Sequence, residues 1–441
     1  MKKKSMIAVI FALALSLTAC GEGIQIEESG QQAEQQMEDS GQQAEQDSGQ
    51  EGYTSKTEIS LAPSPTDYVS VEEMELADMW QGSKEDSIAK VMKKATQGEK
   101  VTVAVIGGSI TQGTISSGSS DSLVENKRCY ADIFFSWWKE TFPQTEFEFI
   151  NAGIGATDSY LGVHRVQTDV LDYNPDIVLV EFAVNDANSV FYKKTYDNLV
   201  RMIAKSGNEP AILLLFMAQT NGAGAQENQS NVGFSYSMPM VSYRNVIKEM
   251  METGKYSDKE LSSDEVHPSA LGHAIAGEII WKYLNSIYED LEEYGEPEPL
   301  EKPAVTKECY TNARILDSKQ IKPESSSGFE EKEVFYTFPN DWTCEEGDGE
   351  IKFTASFANL GVLYYRQIDG NGGQYEVYVD GNMEAVLNAD FKGGWGNCAE
   401  AQECFTSDEV KEHEIVIKEK EDSTGSSFTI LGLMLSDGAG N

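Results

Sequence analysis

The segment Val101-Thr102-Val103-Ala104-Val105-Ile106-Gly107-Gly108-Ser109-Ile110-Thr111-Gln112-Gly113 decides how the rest of the chain is read. Its first six residues are uncharged and rich in β-branched side chains, which suits a central parallel strand covered on both faces. Two glycines then let the backbone turn sharply, and Ser109 sits on that turn. Ligands of α/β sheets bind at the carboxyl ends of the strands, so a hydroxyl placed there is a candidate nucleophile. The same serine also suits an ordinary helix cap.

Outward from this strand the pattern alternates. Before it, Ser83 is placed to cap a helix with Asp86, and Ile88, Val91, Met92 and Ala95 give that helix one apolar face. After it, an aromatic helix is predicted over 130–142, with Phe134, Trp137 and Trp138 as core residues. Further strands are predicted over 147–150, 177–182 and 211–217, and helices over 159–171, 192–204, 241–251 and 269–287. This order implies a parallel sheet with helices on both faces and right-handed crossovers. Two polar, glycine-bearing stretches, 113–126 and 218–239, read as lid or binding loops.

The chain has 441 residues, enough for two or three domains, and its apolar content of 40% supports real cores. A balance of 34 basic against 73 acidic residues, net charge -39, argues against nucleic acid or an anionic membrane surface as the main partner. Lys2, Lys3 and Lys4 precede an apolar run over 7–17, too short to span a bilayer, and Leu17-Thr18-Ala19-Cys20 looks like a bacterial lipobox. That resemblance implies cleavage before Cys20, a lipid on Cys20 and an extracytoplasmic protein anchored to the outer face of the cell membrane. Residues 21–66 read as an acidic, Gln-rich tether in which Ser-Gly-Gln-Gln-Ala-Glu-Gln occurs twice, at 29–35 and 40–46, with no apolar stripe to bury.

Beyond a linker over 292–303, rich in proline and glutamate, helical periodicity nearly vanishes. Short alternating segments over 334–338, 351–357, 361–366, 375–379, 385–387, 414–418 and 428–435, with the hairpin signal Val379-Asp380-Gly381-Asn382, predict a jelly-roll-like β-sandwich. Cys309, Cys344, Cys398 and Cys404 fall in this third, where an exported chain is able to pair them, though spacing favours no particular pairing. Apart from Cys20, Cys129 stands alone in the first half, and neither a CxxC nor a histidine-rich cluster suggests a metal.

A serine hydroxyl needs a base, and the base needs a group that orients it. Asp264-Glu265-Val266-His267 offers that pair, with Pro268 and Ser269 opening a helix just after. Asn185, in Val180-Glu181-Phe182-Ala183-Val184-Asn185-Asp186, lies just past the third strand, where its amide can serve a developing oxyanion. Asn151-Ala152-Gly153-Ile154-Gly155-Ala156-Thr157, past the second strand, is loose enough to turn a backbone N–H inward.

Together these segments resemble the blocks of the SGNH hydrolases, the superfamily that includes the GDSL esterases, over about residues 99–290. The resemblance implies a flavodoxin-like three-layer α/β domain over 67–297. It makes Ser109 the nucleophile, His267 the base and Asp264 its orienting carboxylate. The oxyanion hole is then built from the N–H groups of Ser109 and Ala156 and the side chain of Asn185, with Gly155 as an alternative donor to Ala156. Gly108 stands where many members have Asp, Ala183 replaces a glycine, and Ala156 takes the place usual for the oxyanion glycine. No cofactor or metal is expected.

The remaining segments are then a signal peptide over 1–20, the tether over 21–66 and the sandwich over 298–441. In strand pattern the sandwich resembles carbohydrate-binding modules of polysaccharide esterases, and Trp342, Tyr364, Tyr365 and Trp395 are candidates either to stack on sugar or to fill its core. The expected activity is removal of O-acetyl or other short acyl groups from a polysaccharide. A lipase or general short-chain esterase is the enzymatic alternative, and an inactive glycan-binding lipoprotein or a purely adhesive protein the alternatives of another class.

Overall fold

A computed structural model of the chain describes residues 67–80, 84–114, 129–393 and 396–438. The leader with Cys20, the tether, Ser83, most of the 113–126 stretch and Trp395 lie outside the described residues.

Five parallel strands form the first sheet: β1 (Val101–Gly107), β2 (Phe147–Gly153), β3 (Ile177–Glu181), β4 (Ala211–Phe216) and β5 (Met240–Ser242), in the order β2-β1-β3-β4-β5. This is the flavodoxin-like order, with its switch point between β1 and β3, and in such sheets ligands bind at the carboxyl ends of the strands there. The uncharged runs are explained by alternation. Val103, Val105, Leu179, Leu213 and Leu215 face one apolar core, and Ala104, Ile106, Val178, Val180, Ile212 and Leu214 face the other.

The first core is closed by helices α2 (Glu85–Thr96), α4 (Tyr130–Thr141), α8 (Tyr243–Glu252) and α10 (Ala270–Glu289), with Trp137 and Trp138 fully buried. A short α1 (Val71–Ala77), a single helical turn α3 (Ser109–Gln112) and another, α9 (Asp258–Leu261), complete that half. The second core is closed by α5 (Ser159–Asp169), α6 (Val190–Ala204) and α7 (Gln226–Tyr236).

Three expectations are corrected. Helix α2 starts at Glu85 with Lys84 at its N-cap position and no side-chain cap bond. The stretch 218–239 is not all loop, since α7 fills its second half: small and polar residues hide the helical stripe, Gly233 lying where a Cβ would strike the Met240 side chain. The three-residue β5 precedes α8, and a strand that short carries no periodicity to read.

The C-terminal part is an antiparallel sandwich. Its centre is two long strands, β10 (Glu350–Arg366) and β13 (Cys398–Glu419), which run through both layers and shift register between Phe357 and Gly361. Residues 350–357 pair with 411–418 in the layer that also holds β7 (Ser325–Ser327), β11 (Gln374–Val379) and β12 (Asn382–Asn388). Residues 359–366 pair with 398–406 and with β14 (Phe428–Ser436), which leads on to β6 (Arg314–Leu316), β9 (Asp341–Cys344) and β8 (Phe329–Lys332). Thus the segments read at 351–357 and 361–366 are one bent strand, and 334–338 holds only an isolated bridge between Phe335 and Phe338.

Trp342 and Tyr364 are buried in the sandwich core, so neither is a sugar platform, and Tyr365 packs half-buried against the second core of the α/β layer. That core is shared by the two parts. On β10, Val362 and Tyr364 face the sandwich interior while Leu363 joins Tyr160 and Leu161 of α5. At Gly361 a Cβ would lie 2.1 Å from the Tyr160 hydroxyl, so glycine is what lets α5 seat against the strand. Cys129, Cys309, Cys344, Cys398 and Cys404 are all buried free thiols, and none forms a disulfide.

Candidate active site

Ser109 is the first residue of α3, immediately past β1, with extended Gly108 as the N-cap. Its Oγ lies 2.8 Å from His267 Nε2, and His267 Nδ1 lies 2.9 Å from Asp264 Oδ2. A carboxylate only accepts, so the imidazole proton belongs on Nδ1 and Nε2 is free to accept from the serine hydroxyl. The other oxygen of Asp264 accepts the N–H groups of His267 at 2.7 Å and Val266 at 3.1 Å. Glu265 adopts φ 69°, a left-handed kink that folds this carboxylate back under the ring. The loop is pinned from outside by Thr220 N–H to Glu265 O and by Ser262 Oγ to His267 O, and Ser269 then caps α10.

Asn185 lies at the end of β3, its Oδ1 buried without a hydrogen-bond partner and pressed against Gly108. A Cβ on residue 108 would come within 2.3 Å of that oxygen. In this chain the Asn185 amide fills the space that a side chain at Gly108 would need. Ala156 has φ 57°, a conformation in which glycine costs least, consistent with the glycine usual at this place. A Cβ on Gly155 would lie 3.8 Å from Ser109 Cβ, which sets the first of the two candidate donor residues beside the serine.

Several buried polar groups around this site escaped sequence reasoning. Asp186 accepts Ser159 N–H and the Gln229 amide, tying the end of β3 to α5 and α7, and burial holds its carboxyl well above the ordinary range. Glu181, fully buried at the end of β3, accepts Ala183 N–H, and Thr111 Oγ1 lies 3.4 Å from its other oxygen and 2.6 Å from the Tyr130 hydroxyl. Burial pushes the Glu181 carboxyl up to about 7. His273 is buried behind the site between Tyr130 N–H and Thr114 O, and burial lowers it to about 4, so it stays neutral. Cys129 is buried as well, and its thiol is pushed up beyond any useful acidity. Among the described residues no group of three or more His, Cys, Asp or Glu is placed to hold a metal ion.

A hydrogen-bonded row of Ser109, His267 and Asp264 at the switch point of a parallel five-stranded sheet, with Asn185 beside Gly108, sits on an SGNH-like α/β fold. Residues 105–275 match the GDSL-like lipase/acylhydrolase family. The whole described fold is similar to the crystal structure of a two-domain esterase active on acetylated mannans, at 30% identity and TM-score 0.75, with 83% of this chain and 99% of that chain covered. The same esterase co-crystallized with mannopentaose matches at 29% identity and TM-score 0.74, with 83% of this chain and 99% of that chain covered. No curated protein sequence matches the chain. The chain belongs to the GDSL-like lipase/acylhydrolase family and is an esterase with a C-terminal β-sandwich.

Proposed function

We propose that the protein is an extracytoplasmic serine esterase that removes O-acetyl groups from a polysaccharide, with acetylated mannan as the first substrate to consider. The observation that carries this reading is the Ser109–His267–Asp264 relay in a chain that spans 99% of a two-domain esterase active on acetylated mannans.

In this mechanism His267 Nε2 takes the Ser109 proton as Oγ attacks the acetyl carbonyl, and Asp264 steadies the imidazolium that forms. The tetrahedral oxyanion is met by the N–H of Ser109, a backbone N–H from Gly155 or Ala156, and the Asn185 side chain. Collapse breaks the bond to the sugar oxygen, which leaves with the proton from His267. Water, deprotonated by the same histidine, then adds to the acetyl-serine carbonyl, and Ser109 Oγ leaves with the proton from His267 as acetate is released. The lipobox supports anchoring through a lipid on Cys20, which would hold the enzyme at the outer face of the membrane where a polymeric substrate has access.

The test is acetate release from acetylated mannan and acetylated xylan, with p-nitrophenyl acetate and butyrate as small esters, by wild type and Ser109→Ala. Release from mannan that disappears in the variant supports the reading. Hydrolysis of small esters with no acetate from either glycan overturns the polysaccharide part. Labelling with a radioactive fatty acid, lost in Cys20→Ser, tests the anchor.

A further inference from the structure

Arg165 is among the largest fully buried side chains, 1% exposed on α5, and its counter-charge Asp169 is itself 30% exposed. Burying a guanidinium away from water is unfavourable unless its hydrogen-bonding geometry is used. Here it is used on two backbone carbonyls: Nη2 donates to Gly107 O at 3.0 Å and Nη1 to Ala152 O at 2.8 Å, with Asp169 Oδ2 at 2.9 Å from the same Nη1.

These carbonyls lie at the carboxyl ends of adjacent strands. β1 and β2 pair Ile106 with Ala152 and Gly107 with Gly153. Two residues beyond Gly107 is Ser109, and four beyond Ala152 is Ala156. Gly107 O also accepts Ile154 N–H at 3.1 Å, so the loop carrying Gly155 and Ala156 hangs from the same atom that Arg165 grips. Lysine has no planar fork and cannot reproduce both bonds.

We propose that Arg165 is a positioning residue for ester hydrolysis, clamping the ends of β1 and β2 so that the Ser109 N–H and the N–H of the 155–156 loop converge on one oxygen. The inference rests on the reading of Ser109 as nucleophile. Its buried positive charge adds a favourable field for the oxyanion without touching substrate.

The experiment uses the full chain with Arg165→Met and Arg165→Lys. It measures kcat and KM for p-nitrophenyl acetate and the inhibition constant of an arylboronic acid, which forms a tetrahedral adduct with an active-site serine. Arg165→Met is expected to lower kcat by about tenfold to a hundredfold, in the range of a misplaced oxyanion donor, with KM little changed and the boronate constant raised in parallel. Arg165→Lys is expected to fall between wild type and Met on both readouts. A purely structural role lowers the melting temperature and leaves kcat and boronate affinity of the folded enzyme unchanged. That result in Arg165→Lys, the variant that keeps the charge and the better chance of folding, overturns the inference. Ser109→Ala, measured alongside, separates the two claims: residual full activity there removes the nucleophile reading itself, whereas an inactive Ser109→Ala beside an unaffected Arg165→Lys removes only the clamp.

Discussion

The molecule carries two aspartate–histidine pairs with the same Nδ1 to Oδ2 distance of 2.9 Å, His267 with Asp264 and His413 with Asp380. In the first, the ring's other nitrogen faces a serine hydroxyl at the carboxyl edge of a parallel sheet. In the second, the imidazole is wedged in the sandwich between Phe357, stacked with ring centroids 4.6 Å apart, and Phe405, at 5.0 Å. Its Nε2 is buried with no hydrogen-bond partner. Asp380 is held below its ordinary range by the Glu414 N–H and then by His413, as a hairpin-turn carboxylate should be. An oriented imidazole is therefore not yet a base. What separates the pairs is a hydroxyl on the far nitrogen and a place at the carboxyl edge of the parallel sheet.

The sharpest way to break this comparison is the matched pair Asp264→Asn and Asp380→Asn. Asparagine at 264 keeps an oxygen for the backbone N–H groups but favours the wrong imidazole tautomer, and kcat is expected to drop on the order of a thousandfold or more. Asparagine at 380 is expected to leave kcat and KM as they are. Equal effects from both, read by p-nitrophenyl acetate kinetics, contradict the distinction.

Gly108→Ala comes next. The added methyl must displace the Asn185 side chain it would meet at 2.3 Å. Loss of one oxyanion donor is worth about a hundredfold to a thousandfold in kcat. A variant with wild-type kcat would show that Asn185 contributes nothing in the transition state.

Glu181→Gln addresses stability and its pH dependence. With its carboxyl raised to about 7 from an ordinary value of 4.5, the folded state holds this proton more tightly than the unfolded chain. Its contribution is fully present below about pH 4.5 and is lost as pH rises through about 7, a change on the order of 3 kcal/mol. Glutamine stays neutral, so the variant is expected to gain melting temperature over wild type steadily from pH 5 to pH 8 and to match it near pH 4. A difference that does not vary with pH would mean Glu181 is ionised throughout.

His413→Leu is the smallest effect. Removing a buried nitrogen that has no partner, while Asp380 stays hydrated, is expected to move stability by no more than about 1 kcal/mol and activity not at all. Denaturant titration and the ester assay read both.

How much of this was legible beforehand depended on burial. β1, β3 and β4 were plain because both faces are covered, so every position but Thr102 and Glu181 is apolar. β13 was not, because charged residues such as Glu409 and Glu412 occupy its solvent face and conceal a strand 22 residues long. The bend in β10 near Asn359 split one strand into two readings. At the site, Ser109, Asn185, Asp264 and His267 were found as polar residues just beyond strand ends or before a helix, and the fold brings them together. Arg165 and Glu181 were missed because a single charge in a periodic segment does not say that it is buried. The signal that was available was Glu181 itself, a carboxylate ending an otherwise uncharged strand.

The most direct test of the central claim, that Ser109 is the nucleophile His267 activates, is labelling with a fluorophosphonate followed by peptide mass spectrometry. One adduct on Ser109, absent from Ser109→Ala and formed far more slowly in His267→Ala, is the expected result. An adduct on another serine, or none from an enzyme that still hydrolyses p-nitrophenyl acetate, would contradict it.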